Sequence, residues 1–525
     1  MDRKMKIKIV VVTFFLLLFI GAGSYFFTSL NTRGKAAGIN LFSLVPSDCS
    51  AIFETNDLTS LLKELKGKSY GKELTTHGFS LIAKDLIDHF NELTASAPSG
   101  LSLRINKLLI SFHSPGTEMD QVLYFPTNPG DEKWIEEQIQ KKRPIDFPLK
   151  SVLYKGKKIN ICPMGGDLFL CYYKSSGFVA VSYSKRLIEQ VIDAHISGNS
   201  VLTDKVFGFA KDTKTANGIA SLYVKEKQTG WNYLNLKFDD DAINLSGITT
   251  DADTSSSFVN AIKEQSPIEL FSGNIFPSST YYMNQMSISQ IQYIAVNSAQ
   301  TEYDLASYGD DVKATDIQFM YFLKGNVSGS LAGFSFCSDD SIQRPFSLLC
   351  IPMQNSMKAE ADLRLFMQNR SIKTESTAGG KIQLFNTGNR SYRFYSLPPS
   401  TIFSQLSGIK DADLNTYALF YKDKLLLAPD PVSALSYINQ IEKGNIIEKD
   451  SIYKKNISHV DTHFNFLLMT DLGKLALYPE YRSRLIPDFF SQHMSFFSNF
   501  ILLNQLVCRD RKVYPNLIFI YKGEK

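Results

Sequence analysis

Two short phrases far apart in the chain share one pattern, and together they limit the architecture more than any other feature. Residues 43–53 read SLVPSDCSAIF and residues 274–283 read NIFPSSTYYM. Each has two apolar residues, Pro-Ser, a polar pair, then an apolar or aromatic run. The segments downstream of the two phrases also recur in the same order. LLISFHSPGTEMDQVLYFP (108–126) has the form of LAGFSFCSDDSIQRPFSLLCIP (331–352): strand, polar turn, strand, closing Pro. YKGKKINIC (154–162) matches AGGKIQLFN (378–386). CYYKSSGFVAVSYSKRLIEQVIDAHISGN (171–199) matches LFYKDKLLLAPDPVSALSYINQIEKGN (419–445), each reading Tyr-Lys, hairpin turn, apolar strand, amphipathic helix and Gly-Asn. Four segments in one order predict an internal duplication, with a first domain over 41–265 and a second over 266–525.

Each copy mixes elements. DLTSLLKEL (57–65) spaces Leu58, Leu61, Leu62 and Leu65 as a helix, with Asn56 or Asp57 placed to cap it. FSLIAKDLIDHFNEL (79–93) repeats that spacing, and LIEQVIDAHISG (187–198) ends on a glycine suited to a left-handed cap. KLLISF, QVLYFP, GFVAVSY and YLNLKF read as strands, the last turning at Asp239-Asp240-Asp241 into AINLSGI. Consecutive hairpins imply antiparallel sheet, with helices on one face, so the fold class is α+β.

The N-terminus has another character. MDRKMKIK carries a local +3 of the chain's formal +4, and residues 9–30, IVVVTFFLLLFIGAGSYFFTSL, hold no charge. As a helix these 22 residues would span roughly 33 Å, enough to cross a bilayer core. The basic flank at 1–8 orients the segment as a signal-anchor with everything beyond it exported. The alternative is a cleaved signal peptide, since Gly21-Ala22-Gly23 offers small residues for a peptidase. Residues 31–40 form a polar, Gly-bearing linker. The expected location is the inner membrane, single-pass, with the bulk in the periplasm. The near-neutral remainder has no basic face, which argues against nucleic acid as a partner.

Chemistry is sparsely signalled. His459 and His463 in HVDTH would stand about 13 Å apart on a strand, too far to share an ion. KGKS (66–69) lacks the first glycine of a phosphate loop, and no GxGxxG or GxSxG occurs in a fitting context. No catalytic residue, cofactor or metal site is assigned, and the chain is not expected to be an enzyme. Of six cysteines, Cys337 and Cys350 lie on the two arms of one hairpin and form a candidate disulfide, with two buried thiols the alternative. Where the first copy has KQTGWNYLNLKF (227–238), the second inserts 478–500, YPEYRSRLIPDFFSQHMSFFSNF. Phe489, His493, Phe496 or Phe497, and Phe500 would share one helical face, offered either as a closing core helix or as a partner-docking or membrane-surface helix.

The opening LVPSDCSAIFETNDLTSLLKEL on an exported, single-span chain, with the strand-Ser-helix-Gly-Asn segment at 178–199, resembles a membrane-anchored bacterial envelope family of Bacteroidetes type that carries a domain of unknown function. The resemblance covers mainly residues 40–225. It implies a periplasm-facing placement and no catalytic residues. The expected function is a membrane-tethered binding or scaffolding protein of the cell envelope, with a protein partner or lipid. The alternatives are a carrier of a lipid or other apolar ligand, and an envelope hydrolase.

Overall fold

The computed structural model of the protein describes residues 39–71, 80, 82–88, 106–128, 131–141, 148–165, 167–214, 218–226, 230–249, 258–271, 273–290, 309–337, 345–373, 382–387, 390–409, 414–478 and 486–523. The apolar segment 9–30 and most of the linker lie outside these residues. No helix among the described residues is long and apolar enough to cross a membrane. The chain is mixed α+β, dominated by antiparallel sheet with helices packed on it. It forms two compact units. Unit 1 comprises residues up to Cys49, Glu54–Thr59 and Ser80–Asp204; unit 2 comprises Ser50–Phe53, Ser60–Phe79 and everything from Lys205.

The first strands are β1 (Ala51–Thr55), β2 (Leu108–Phe112), β3 (Gln121–Pro126), β4 (Lys150–Tyr154), β5 (Lys157–Gly165), β6 (Leu168–Ser175) and β7 (Phe178–Ser182). Within unit 1 they pair as an antiparallel ladder in the order β2-β3-β7-β6-β5-β4. Leu123 stands opposite Ile110 on one side and Val181 on the other. Strand alternation therefore puts Leu108, Ile110, Leu123, Phe125 and Val181 on one face, and Leu109, Ser111, Tyr124, Phe178 and Ala180 on the other. The helix Lys185–Ser197 packs its buried Leu187, Ile188, Val191 and Ile192 on the second face, where His195 meets Phe178 edge-on at 5.1 Å. The hairpin pattern predicts helices on one face only, but Asp131–Lys141 covers part of the other. The sequence of β7 explains this: Phe178, Val179, Ala180 and Val181 are all buried, so both sides of the strand need cover.

Unit 2 continues the chain through β8 (Ala220–Glu226), β9 (Gly230–Phe238), β10 (Ala242–Thr249), β11 (Ile268–Glu269), β12 (Thr280–Ser287), β13 (Ser330–Cys337), β14 (Pro345–Pro352), β15 (Ile382–Thr387), β16 (Arg390–Ser396), β17 (Tyr417–Tyr421), β18 (Lys424–Ala428), β19 (His463–Phe464), β20 (Phe466–Asp471), β21 (Phe500–Arg509) and β22 (Lys512–Tyr521). Apart from the small β11–β19 pair, they form one antiparallel ladder, β8-β9-β10-β22-β21-β20-β12-β13-β14-β18-β17-β16-β15. The run β13-β14-β18-β17-β16-β15 repeats the order β2-β3-β7-β6-β5-β4 strand for strand, and β20-β21-β22 repeats β8-β9-β10. We refer to the two six-strand runs as the first and second ladders.

The phrases that recur in sequence occupy corresponding places. Pro46 bridges Ser200, and Pro277 bridges Ile446. The Gly198 and Gly444 that end the two long helices share a left-handed φ of 71°. β10 and β22 pair with each other, Ser246 opposite Asn516. One matched segment is displaced: the sequence pattern pairs 378–386 with 154–162, yet Ile382–Thr387 ends the second ladder as β4, not β5, ends the first.

The helix Leu58–Leu65 forms, and Asn106 also serves its start, accepting from Thr59 N at 3.0 Å through Oδ1 and from Leu58 N at 3.0 Å through its carbonyl. β5 carries a bulge at Pro163, and in the β5–β6 pair Cys162 opposes Leu170 and Cys171 opposes Ile161. These two thiols therefore point to opposite faces.

Candidate functional site

Among the described residues, the first face of the first ladder carries a small recess between two helices, its strand residues otherwise buried. Leu108, Leu123, Phe125, Leu170 and Val181 form the floor of a cleft of about 130 Å³. Its walls are two helices. Residues 82–88 contribute Ile82, Asp85 and Leu86; Asp131–Lys141 contributes Trp134, Ile135, Gln138 and Ile139, the i, i+1, i+4, i+5 positions of one helical face. Met164, just past the β5 bulge, closes one end. Apart from Asp85 and Gln138 the lining is apolar, so water held there would have few hydrogen-bonding partners.

Asp85 is fixed at the edge of this cleft by Tyr183, whose hydroxyl donates to its Oδ2. Burial, then this carboxylate, pushes the Tyr183 phenol up from its ordinary range. Tyr183 directly follows β7, so strand geometry holds it on the same face as Val181. The arrangement is a dry apolar recess with one anchored acidic group, suited to an apolar side chain or ligand segment carrying a hydrogen-bond donor.

A second constellation lies on the opposite face of the same ladder. Ser111 Oγ is 2.8 Å from His113 Nε2 and 3.0 Å from Tyr124 Oη, and His113 Nδ1 is 3.4 Å from Asp48 Oδ1. The last distance is too long to rank with the two hydrogen bonds. The His113 ring beside Asp48, helped by Gln190, holds that carboxyl below its ordinary range despite partial burial. The order Asp-His-Ser resembles nucleophilic catalysis, but Ser111 and His113 are 0% and 1% exposed. Their side chains point away from the cleft, and Tyr124 also occupies the serine hydroxyl. A nucleophile needs room for a carbonyl at its oxygen, and these contacts leave a buried polar cross-link instead.

The corresponding face of the second ladder is closed. Between β16 and β17 the chain runs through a helix, Ile402–Ser407, whose Ile402, Phe403 and Leu406 are at most 2% exposed. Gly333 of β13 admits it: a Cβ there would lie 2.8 Å from Ser407 Cα. Asn284 Nδ2 donates to Ser407 O at 2.6 Å, tying its C-terminal end. At the other end buried Asp316 accepts from Ser400 Oγ at 2.7 Å, Thr401 N at 3.0 Å and Thr401 Oγ1 at 2.5 Å. Burial pushes the Asp316 carboxyl up, and those hydrogen bonds pull it back. Phe319 and Phe366 pack ring to ring at 5.6 Å between the two helices Asp310–Lys324 and Ser356–Lys373.

The residues singled out in sequence lie elsewhere. Phe489, His493, Phe496, Phe497 and Phe500 do not form an exposed docking face. They are 0–6% exposed, split between helices Asp488–Gln492 and Met494–Phe497 and the start of β21. Phe490 and Phe519 complete the aromatic layer, their rings 4.8 Å apart. So dense a run of aromatic positions leaves the segment little polar side to show water. Burial lowers the His493 imidazole to about 4. Cys337 opposes Pro345 and Cys350 opposes Ala332, five ladder steps apart, roughly 17 Å along the strands. That is far beyond disulfide reach, and both are free thiols. His463 is exposed, 3.5 Å from Glu269, and no metal-holding group occurs among the described residues.

Sequence reasoning did not single out the cleft residues, since Leu123, Phe125 and Val181 read like any buried strand residues. It also passed over the helix at 402–407, although Ser400-Thr401 before an Ile-Phe-x-x-Leu pattern and Gly408 after it carry start and stop signals. Compared with known proteins, the chain matches no family model, no curated protein and no solved structure.

Proposed function

We propose that this chain is a membrane-tethered binding protein of the bacterial envelope, built from two related α+β halves, that holds an apolar part of its ligand in the cleft of the first ladder. The observation that carries the reading is the cleft itself, apolar on floor and walls, with Asp85 fixed at its edge. An apolar recess of this kind binds; it offers no activated nucleophile or acid-base pair to a substrate. The apolar stretch 9–30 behind the basic flank 1–8 supports the tether, an inner-membrane location and a periplasmic bulk. The repeated strand order and the β10–β22 pairing support descent from one duplicated unit.

The experiment is native isolation of the full chain from membranes in mild detergent, with the eluate divided between protein mass spectrometry and lipid analysis. A stoichiometric protein or lipid retained by the wild type and lost from Leu123→Arg, with the circular dichroism unchanged, supports the reading. Retention of the same companion by the variant overturns the cleft as the binding site. Recovery of the chain in the soluble fraction overturns the tether.

A further inference from the structure

Two polar side chains line the apolar recess, and the fold uses only one of them. Asp85 is taken by Tyr183. Gln138 lines the recess beside Trp134, Ile135 and Ile139, is 9% exposed, and among the described residues has no hydrogen bond to its amide. Burying an amide without a partner is unfavourable, and the second ladder shows the apolar solution. Its helix Ser356–Lys373 buries Ala359 and Leu363, the fourth and eighth residues, at 0% exposure. Trp134 and Gln138 are the fourth and eighth residues of Asp131–Lys141. The first ladder's helix therefore carries a hydrogen-bonding amide at the position where its counterpart has leucine.

We propose that the recess takes a compact neutral molecule with an apolar body, aromatic or branched alkyl, and an uncharged carboxamide that pairs with the Gln138 amide. The inference rests on the binding reading above and names its ligand class. Size limits the body: the recess measures about 130 Å³, close to an apolar cavity that takes benzene. The floor residues Leu108, Leu123 and Val181 are already buried, so the ligand fills a gap between the helices and needs no open sheet. Trp134, Phe125 and Met164 supply apolar contact. Gln138 supplies a carbonyl acceptor and N–H donors, which a carboxamide matches in both directions. A carboxylate ligand would bring a second negative charge beside Asp85, in surroundings with little water to screen it.

The test is a titration of the full chain in lipid nanodiscs, which keep detergent out of the recess, followed by tryptophan emission. Of the two tryptophans, Trp134 lines the recess and Trp231 is fully buried in β9. Benzamide shifts the wild-type emission, and benzoate binds more weakly than benzamide. Gln138→Leu weakens benzamide about tenfold, the size of the hydrogen bonds lost, and leaves benzene binding unchanged. Gln138→Met repeats the measurement if the leucine variant does not fold. No binding of benzamide, equal binding to wild type and variant, or benzoate as tight as benzamide overturns the carboxamide proposal. In each of those cases benzene bound by the wild type and lost from Leu123→Arg leaves the apolar binding reading standing. If neither benzene nor benzamide alters the emission, both fall.

Discussion

The same strand order is finished in two ways. On the second ladder the chain folds back over its own sheet: Phe403 and Leu406 fill the space between helix and strands, Gly333 lets the backbones approach, and Asp316 caps the covering helix. On the first ladder a tight turn replaces that excursion, Ile110 replaces the glycine, and an apolar cleft remains beside Asp85. The comparison separates what a ladder needs in order to form, which both have, from what it needs in order to be closed. On the second ladder the segment between β16 and β17 supplies the cover, whereas on the first ladder two helices supply it and leave a recess between them.

The largest effect is expected where closure is complete. Phe403→Ala should lower the unfolding free energy of the second ladder by about 3–5 kcal/mol, measured as a shift in denaturant midpoint. A loss under ~1 kcal/mol would break the comparison, because the covering helix would then contribute little. Acid should come next. His493 has a folded value of about 4 against about 6.5 unfolded, so the unfolded chain takes up its proton first as pH falls. That contribution is fully present above pH 6.5 and is lost progressively down to about pH 4, by about 3 kcal/mol. His493→Gln should flatten the pH dependence of the midpoint across that window, and an unchanged slope would remove the buried imidazole as its cause.

Asp316→Ala should cost about 1–3 kcal/mol by leaving the donors of Ser400 and Thr401 buried without their acceptor, measured as a fall in the denaturant midpoint. An unchanged midpoint would mean that Asp316 contributes nothing net to closing the second ladder. The smallest effect concerns filling. Leu86→Trp, which enlarges a cleft wall, should raise stability by up to about 1 kcal/mol, while the same enlargement at Phe319→Trp should overpack and destabilise. Reversal of those signs would show the cleft to be closed and the second face to have slack.

Much of this was legible in the chain. Pro46 and Pro277, Gly198 and Gly444, and the paired hairpins at 108–126 and 331–352 carried the repeat, because turn and cap residues act through local backbone geometry. The helix at 58–65 was equally plain from its leucine spacing. The hydrogen bonds that Asn106 adds at its start were not, since that residue reaches it from 47 residues away. The aromatic stretch 478–500 showed its apolar face without showing whether that face meets water or Phe519. The Cys337–Cys350 hairpin showed two arms, while the register that holds the thiols five steps apart depends on the whole strand pair.

The sequence by itself determined the antiparallel α+β character, the recurrence of its units, and the apolar segment that precedes them, because periodicity, turns and charge are properties of neighbours along the chain. Only the tertiary structure decided where a recess is left beside the first ladder, that Asp85 lines it while Asp316 is sealed beneath a helix, and that Ser111 and His113 are locked away from any substrate. Those outcomes depend on side chains brought together from distant parts of the chain, where a single glycine or the length of a connection decides which segment packs against the sheet.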